Sequence, residues 1–104
     1  MSAVRRRSFE RDGRLVPRTA RGLRARAVTL KPHGVMDWHS TQAREELVIV
    51  LVGCVILEVQ QSRRIHRLSL AHGHCALLPA RTTHRVVNDA SRRARYLYVT
   101  GLSR

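Results

Sequence analysis

Acidic and aromatic residues are both scarce in this chain: seven Asp and Glu face twenty basic residues, and aromatics fill 4% of 104 positions. Lysine is rarer still, since Lys31 stands alone and the other nineteen basic residues are arginine. The resulting charge of +13 attracts polyanions but carries no information about fold. Nucleic-acid binders commonly add aromatic platforms on which bases stack. Phe9, Trp38, Tyr96 and Tyr98 are the whole aromatic set, and the arginines run from Arg5 to Arg104 rather than forming one block. Nine of them do fall within the first twenty-six residues, so a nucleic-acid-associated protein is a reading that charge alone supports.

Long apolar runs are absent too. The longest, Leu47 to Leu57, is eleven residues and is divided by Gly53, against roughly 20 for a membrane-spanning helix. No membrane association is expected. The start, MSAVRRRSFERDG, carries positive charge with no apolar stretch behind it, so it does not read as a secretory signal. The expected compartment is cytoplasmic. Cys54 and Cys75 lie twenty-one residues apart with no C-x-x-C, which suits free, buried, small apolar side chains in a reducing environment.

What remains is enough for one core and no more. Many short apolar runs alternate with turn residues. Leu23, Ala25 and Ala27 alternate with Arg24 and Arg26 at the period of a half-buried strand. The cluster Lys31-Pro32-His33-Gly34 breaks the chain, and Glu46–Val52, Val55–Val59, Ile65–Leu70, Cys75–Leu78, Thr83–Val87 and Ala94–Val99 follow as further strands. At least seven short strands at this spacing, without helical periodicity, predict an all-β sandwich or barrel. Residues 1–22 read as an arginine-rich N-terminal segment, an edge strand or partly disordered, and residues 23–104 as the barrel domain. Leu47 to Leu51 is apolar on both faces, so the outer one needs a second sheet or a partner chain to cover it, and a homodimer is expected.

Six histidines are present. His66, His72 and His74 have no ligand partners at useful spacing and read as surface residues. His39 and His84 sit in longer patterns. Gly34, His39, Glu46 and Gly53 mark the first half, and Gly73, Pro79, His84 and Asn88 mark the second.

These two segments, GVMDWHSTQAREELVIVLVG and GHCALLPARTTHRVVN, resemble the paired motifs of the cupin family, and with the spacer between them they cover about half the chain. Six residues between Glu46 and Gly53 fix Glu46, not Glu45, as the motif carboxylate. Three positions depart from the pattern: Thr41 stands where the second motif histidine belongs, Arg81 replaces a glycine, and Gly34 is one residue close to His39.

The resemblance implies a jelly-roll β-barrel (a double-stranded β-helix) whose mouth holds a divalent metal on His39, Glu46 and His84. Two imidazoles and one carboxylate with open positions suit iron, manganese or nickel better than zinc. Trp38, Thr41 and Gln42 are expected around the pocket with Met36, and Glu45 as a support behind the ligands. Arg44, Arg81 and Arg85 are placed to draw in an anion, and Tyr96 and Tyr98 reach a ligand if their shared face points inward. The expected function is binding of a small polar or anionic metabolite at the metal, with oxidation or isomerisation as the chemistry within reach. The alternative is a ligand-sensing or binding cupin without chemistry.

Overall fold

The structure is a computed structural model that describes residues 4–102. Its elements are β1 (Gly13–Arg14), β2 (Leu23–Leu30), β3 (Val35–Ser40), β4 (Arg44–Val52), β5 (Cys54–Gln61), β6 (Arg64–Ala71), β7 (Cys75–Leu78), β8 (Thr83–Val87) and β9 (Ala94–Leu102). Alternation of apolar residues along these strands needs two facing surfaces to bury it. They fold as two antiparallel sheets, one in the order β1-β2-β9-β4-β7 and the other β3-β8-β5-β6. This is an all-β jelly roll built as two open sheets face to face. Among the described residues no helix is long and apolar enough to cross a membrane.

The core lies between the sheets. Val48 and Val50 of β4, Val28 and Leu30 of β2 and Tyr96 of β9 meet Val55 and Leu57 of β5 and Val86 of β8, all buried. The expected strands are present, and β1 and β3 join them. β3 was hidden because its spacing is irregular: its register against β8 shifts between Met36 and His39. Two residues three apart would point to opposite faces of a regular strand. The extra residue restores both to the inner face, Met36 against the core and His39 opposite His84.

Turns fix where each end of the sandwich closes. Asn88, fully buried, donates from Nδ2 to the carbonyls of Leu30, Lys31 and Arg92 and accepts from the Ala90 amide. It fastens three chain segments at the end of the sandwich away from His39 and His84. Gly53 has φ 75°, and a Cβ there would lie 2.9 Å from the Arg93 carbonyl oxygen, so only glycine fits this approach. At the opposite end, the β3–β4 and β7–β8 turns clip together. The Arg81 amide donates to the Gln42 carbonyl at 2.7 Å, and the Thr41 amide to the Thr82 carbonyl at 3.1 Å.

The two cysteines are free, as expected, but they are not buried. Both are exposed, because Cys54 and Cys75 fall on the outward positions of their strands.

Arg81 and Gln42 both hold left-handed backbones, with φ 57° and 54°. That conformation costs a non-glycine residue about 1–2 kcal/mol, partly offset in a glycine by its greater freedom when unfolded. Because the Arg81 side chain is exposed, Arg81→Gly should stabilise the fold by about 0.5–1 kcal/mol, read as a higher urea midpoint at unchanged slope; a lower midpoint would show that the side chain outweighs the backbone strain.

Candidate metal centre

The site joins the two sheets at their open end. Glu46 is the third residue of β4 and pairs across the ladder with Thr100 and Leu78. Strand alternation sends its side chain inward with Val48 and Val50. His39 and His84 are paired on β3 and β8 of the other sheet. Their rings lie 4.3 Å apart between centroids and 57° from parallel. One ligand atom from each of the three residues lies within 4.8 Å of the others.

Hydrogen bonds orient both rings. His39 Nδ1 lies 2.7 Å from the Asp37 carbonyl oxygen and His84 Nδ1 lies 3.1 Å from that of Thr82. A carbonyl only accepts, so both Nδ1 atoms carry the proton. Each Nε2 is then left for the interior, and that of His84 lies 3.2 Å from Glu46 Oε2. This arrangement suits a metal: neutral imidazoles with a fixed tautomer and a carboxylate between them.

Glu46 and His84 are buried at 6% and 0% exposure, so neither charge is stable there alone. Burial works against the charged form of His84. The hydrogen bonds to Glu46 and to the Thr82 carbonyl, with the Glu46 charge, outweigh it and raise the imidazole above its ordinary 6.5. A proton and a metal ion thus compete for the same lone pair.

The mouth beside Glu46 is a cavity of about 980 Å³, lined by Thr41, Gln42, Arg44, Tyr98 and Thr100 together with Arg24 and Arg26 of β2. Thr41 presents no free donor. Its hydroxyl donates to the Pro79 carbonyl at 2.8 Å and accepts from the Thr82 amide at 3.0 Å. Arg44 is held by Thr100, whose Oγ1 and carbonyl accept from it at 2.9 and 3.1 Å.

A Cupin domain family profile matches residues 26–100. The chain belongs to the cupin family. Among curated proteins none matches this cupin significantly. Solved structures share its fold: an oxalate oxidase (TM-score 0.73, 16% identity) is matched over 78% of this chain and 42% of its own. A Thermus thermophilus protein (TM-score 0.73, 22% identity) is matched over 94% and 90%. A sugar phosphate isomerase of the cupin superfamily from Silicibacter pomeroyi (TM-score 0.66, 22% identity) is matched over 82% and 54%. The chain therefore spans less than half of the oxalate oxidase chain.

Several expected neighbours of this cupin's centre lie elsewhere. Glu45 alternates with Glu46 and so faces outward, exposed, where it supports no ligand. Trp38 sits next to the bulge under Arg85, whose guanidinium carbon is 5.0 Å from the ring centroid. Arg85 is bonded in turn to Glu58, which also pairs with Arg67 at 3.0 Å, on the outer face of that sheet. Trp38 and Arg85 therefore do not line the mouth, and neither does exposed Arg81. Of the three motif-side arginines only Arg44 does. The tyrosines do point inward: Tyr96 is buried in the core and Tyr98 reaches the cavity.

Arg24 and Arg26 were missed. Their register partners, Thr100 and Tyr98, face the interior, so these arginines do too. Alternation with small, buried Ala25 and Ala27 made the arginines look like the solvent face. They are exposed, but into the mouth, and the preceding segment extends the sheet beside them through the Gly13–Arg14 ladder and the Leu15 amide bond to Ala25.

In metal-free protein, the stability drawn from His84 is fully present below its unfolded value near 6.5 and is lost as pH rises through the higher folded value. Urea midpoints after chelation should fall across that interval above pH 6.5, and His84→Gln should remove the fall; an unchanged slope of stability against pH in the variant would contradict the pairing.

Proposed function

We propose that this cupin holds a divalent cation on His39, Glu46 and His84 and binds a small polar or anionic metabolite in the mouth beside it. The observation that carries this reading is the convergence of the three side chains from facing sheets, with both imidazoles held through Nδ1 by backbone carbonyls and Nε2 of His84 turned to Glu46. Two imidazoles and one carboxylate leave open positions and suit iron, manganese or nickel over zinc. When bound, such an ion supplies Lewis-acid polarisation or a redox centre, which puts isomerisation and oxidation of the metabolite within reach.

The chain's own residues do the remaining work. Asp37 and Thr82 carbonyls hold the rings, Glu46 compensates the buried charge, and Tyr98 and Thr100 offer hydroxyls to what enters. Thr41, at the position of the family's second histidine, has its hydroxyl committed to Pro79. This observation favours a second reading, a binding cupin that performs no chemistry; oxygen uptake across small thiols, diketones and phenols separates the two.

The same reading includes a homodimer. Leu47, Ile49, Leu97 and Val99 form a half-buried apolar outer face on the five-stranded sheet, with Leu77 beside them 66% exposed. Such a face gains from a partner.

Elemental analysis of protein purified without a histidine tag should find about one divalent metal per chain, and His39→Ala with His84→Ala should lower this at least tenfold; equal contents would end the metal assignment. Sedimentation should give twice the 11.9 kDa chain mass, reverting to a single chain in Leu47→Asp with Leu77→Asp; a wild-type monomer would contradict the dimer.

A further inference from the structure

The mouth is much more basic than a metal centre requires. Arg14, Arg18, Arg21, Arg24, Arg26 and Arg44 line it, and Glu46 is the one carboxylate among its described lining residues. Glu46 is already engaged by His84. Among the described residues none of these six arginines takes part in an ion pair. Five of them are exposed and Arg44 is half-buried, so a basic patch faces a cavity of about 980 Å³. The arginine-rich composition of the chain explains why the cations are arginine. It does not explain why Arg24 and Arg26 occupy inner positions of β2, beside Thr100 and Tyr98.

The N-terminal segment is held in place for this. Asp12 accepts from the Thr29 amide at 2.9 Å and from its hydroxyl at 2.7 Å, and Arg95 reaches the same carboxylate. Gly13–Arg14 pairs with β2, the Leu15 amide donates to the Ala25 carbonyl, and a turn closes from Ala20 to the Pro17 carbonyl at 3.0 Å. Arg14, Arg18 and Arg21 are thus carried on a strap that is tied along β2 and forms one wall of the mouth.

We propose that this mouth is selective for a phosphate ester: Arg24 and Arg26, with the arginines of the strap, bind the phosphate, and the organic body extends toward Tyr98, Thr100 and Glu46. This rests on the reading of the mouth as the metabolite site and adds its substrate class. A phosphate dianion offers oxygens in several directions, so forks from β2 and from the strap engage it together, whereas a single carboxylate fills one fork. The volume, at the upper end of the roughly 300–1,000 Å³ of small-molecule sites, has room for an organic body as well as the anion. Tyr98 is the only aromatic residue lining it, which leaves no platform for stacking a nucleic-acid strand.

Calorimetric titration of the chelator-treated full chain with glucose 6-phosphate, inorganic phosphate and glucose tests this, with duplex DNA as competitor. Both phosphate probes should bind and glucose should not. Arg24→Gln with Arg26→Gln should weaken the phosphate probes at least tenfold, while Arg92→Gln with Arg93→Gln, equal in charge and at the far end of the sandwich, should change them less than about twofold. Arg18→Gln with Arg21→Gln on the exposed strap supplies a second variant should the first not fold, with the same loss expected. Absence of binding by either phosphate probe, equal weakening in the far-end variant, or displacement of bound phosphate by stoichiometric DNA would each overturn the proposal. Because the metal is removed beforehand and its content is measured separately on protein as purified, phosphate binding by a chain that held no metal as purified overturns the metal assignment alone, and a chain that held metal as purified but ignores phosphate overturns this proposal alone.

Discussion

A single carboxylate–imidazole contact, Glu46 to His84 at 3.2 Å, ties the two sheets together at the end of the sandwich where apolar packing gives out. Neither group is stable in that position without the other, since each is buried and ionisable. The contact requires β4 to turn Glu46 inward, β8 to bring up His84, and the clipped turns at Thr41 and Arg81 to hold the sheets at that separation. His39 is then added by one extra residue in β3. The sandwich can therefore present two imidazoles and a carboxylate as a by-product of satisfying its own buried charge, and a cation that enters takes over the role of the proton.

The strands with regular alternation were legible from the residues, and the three converging side chains through the resemblance of the segments around Gly34, Gly53, Pro79 and Asn88 to the cupin motifs. Asn88 is legible as a motif position, but its task, fastening three carbonyls, appears only in the fold. β3 was not legible because a bulge destroys the period on which the reading depends. The faces of Glu45 and Trp38 were not legible for related reasons. Adjacent residues on a strand share a neighbourhood in sequence and lie on opposite surfaces of the sheet, so proximity to a ligand along the chain says little about proximity in space.

The arginines were the larger omission. Alternating Ala and Arg in β2 reads as a buried face and an exposed one, and so they are, but the arginines are exposed into the mouth, on the face they share with the core residues Val28 and Leu30. Six of the twenty basic residues thereby line one opening. The candidate metal site and the cationic wall meet at Glu46, which lines the cavity and also faces His84. An anion held by the wall would be delivered to the open side of the centre.

The most direct test is anomalous diffraction at the absorption edge of the metal that the purified protein carries. The account predicts one peak per chain, about 2.1 Å from Nε2 of His39, Nε2 of His84 and a carboxylate oxygen of Glu46. A peak held instead by His72 and His74, or the three side chains turned apart around no density at all, would contradict it.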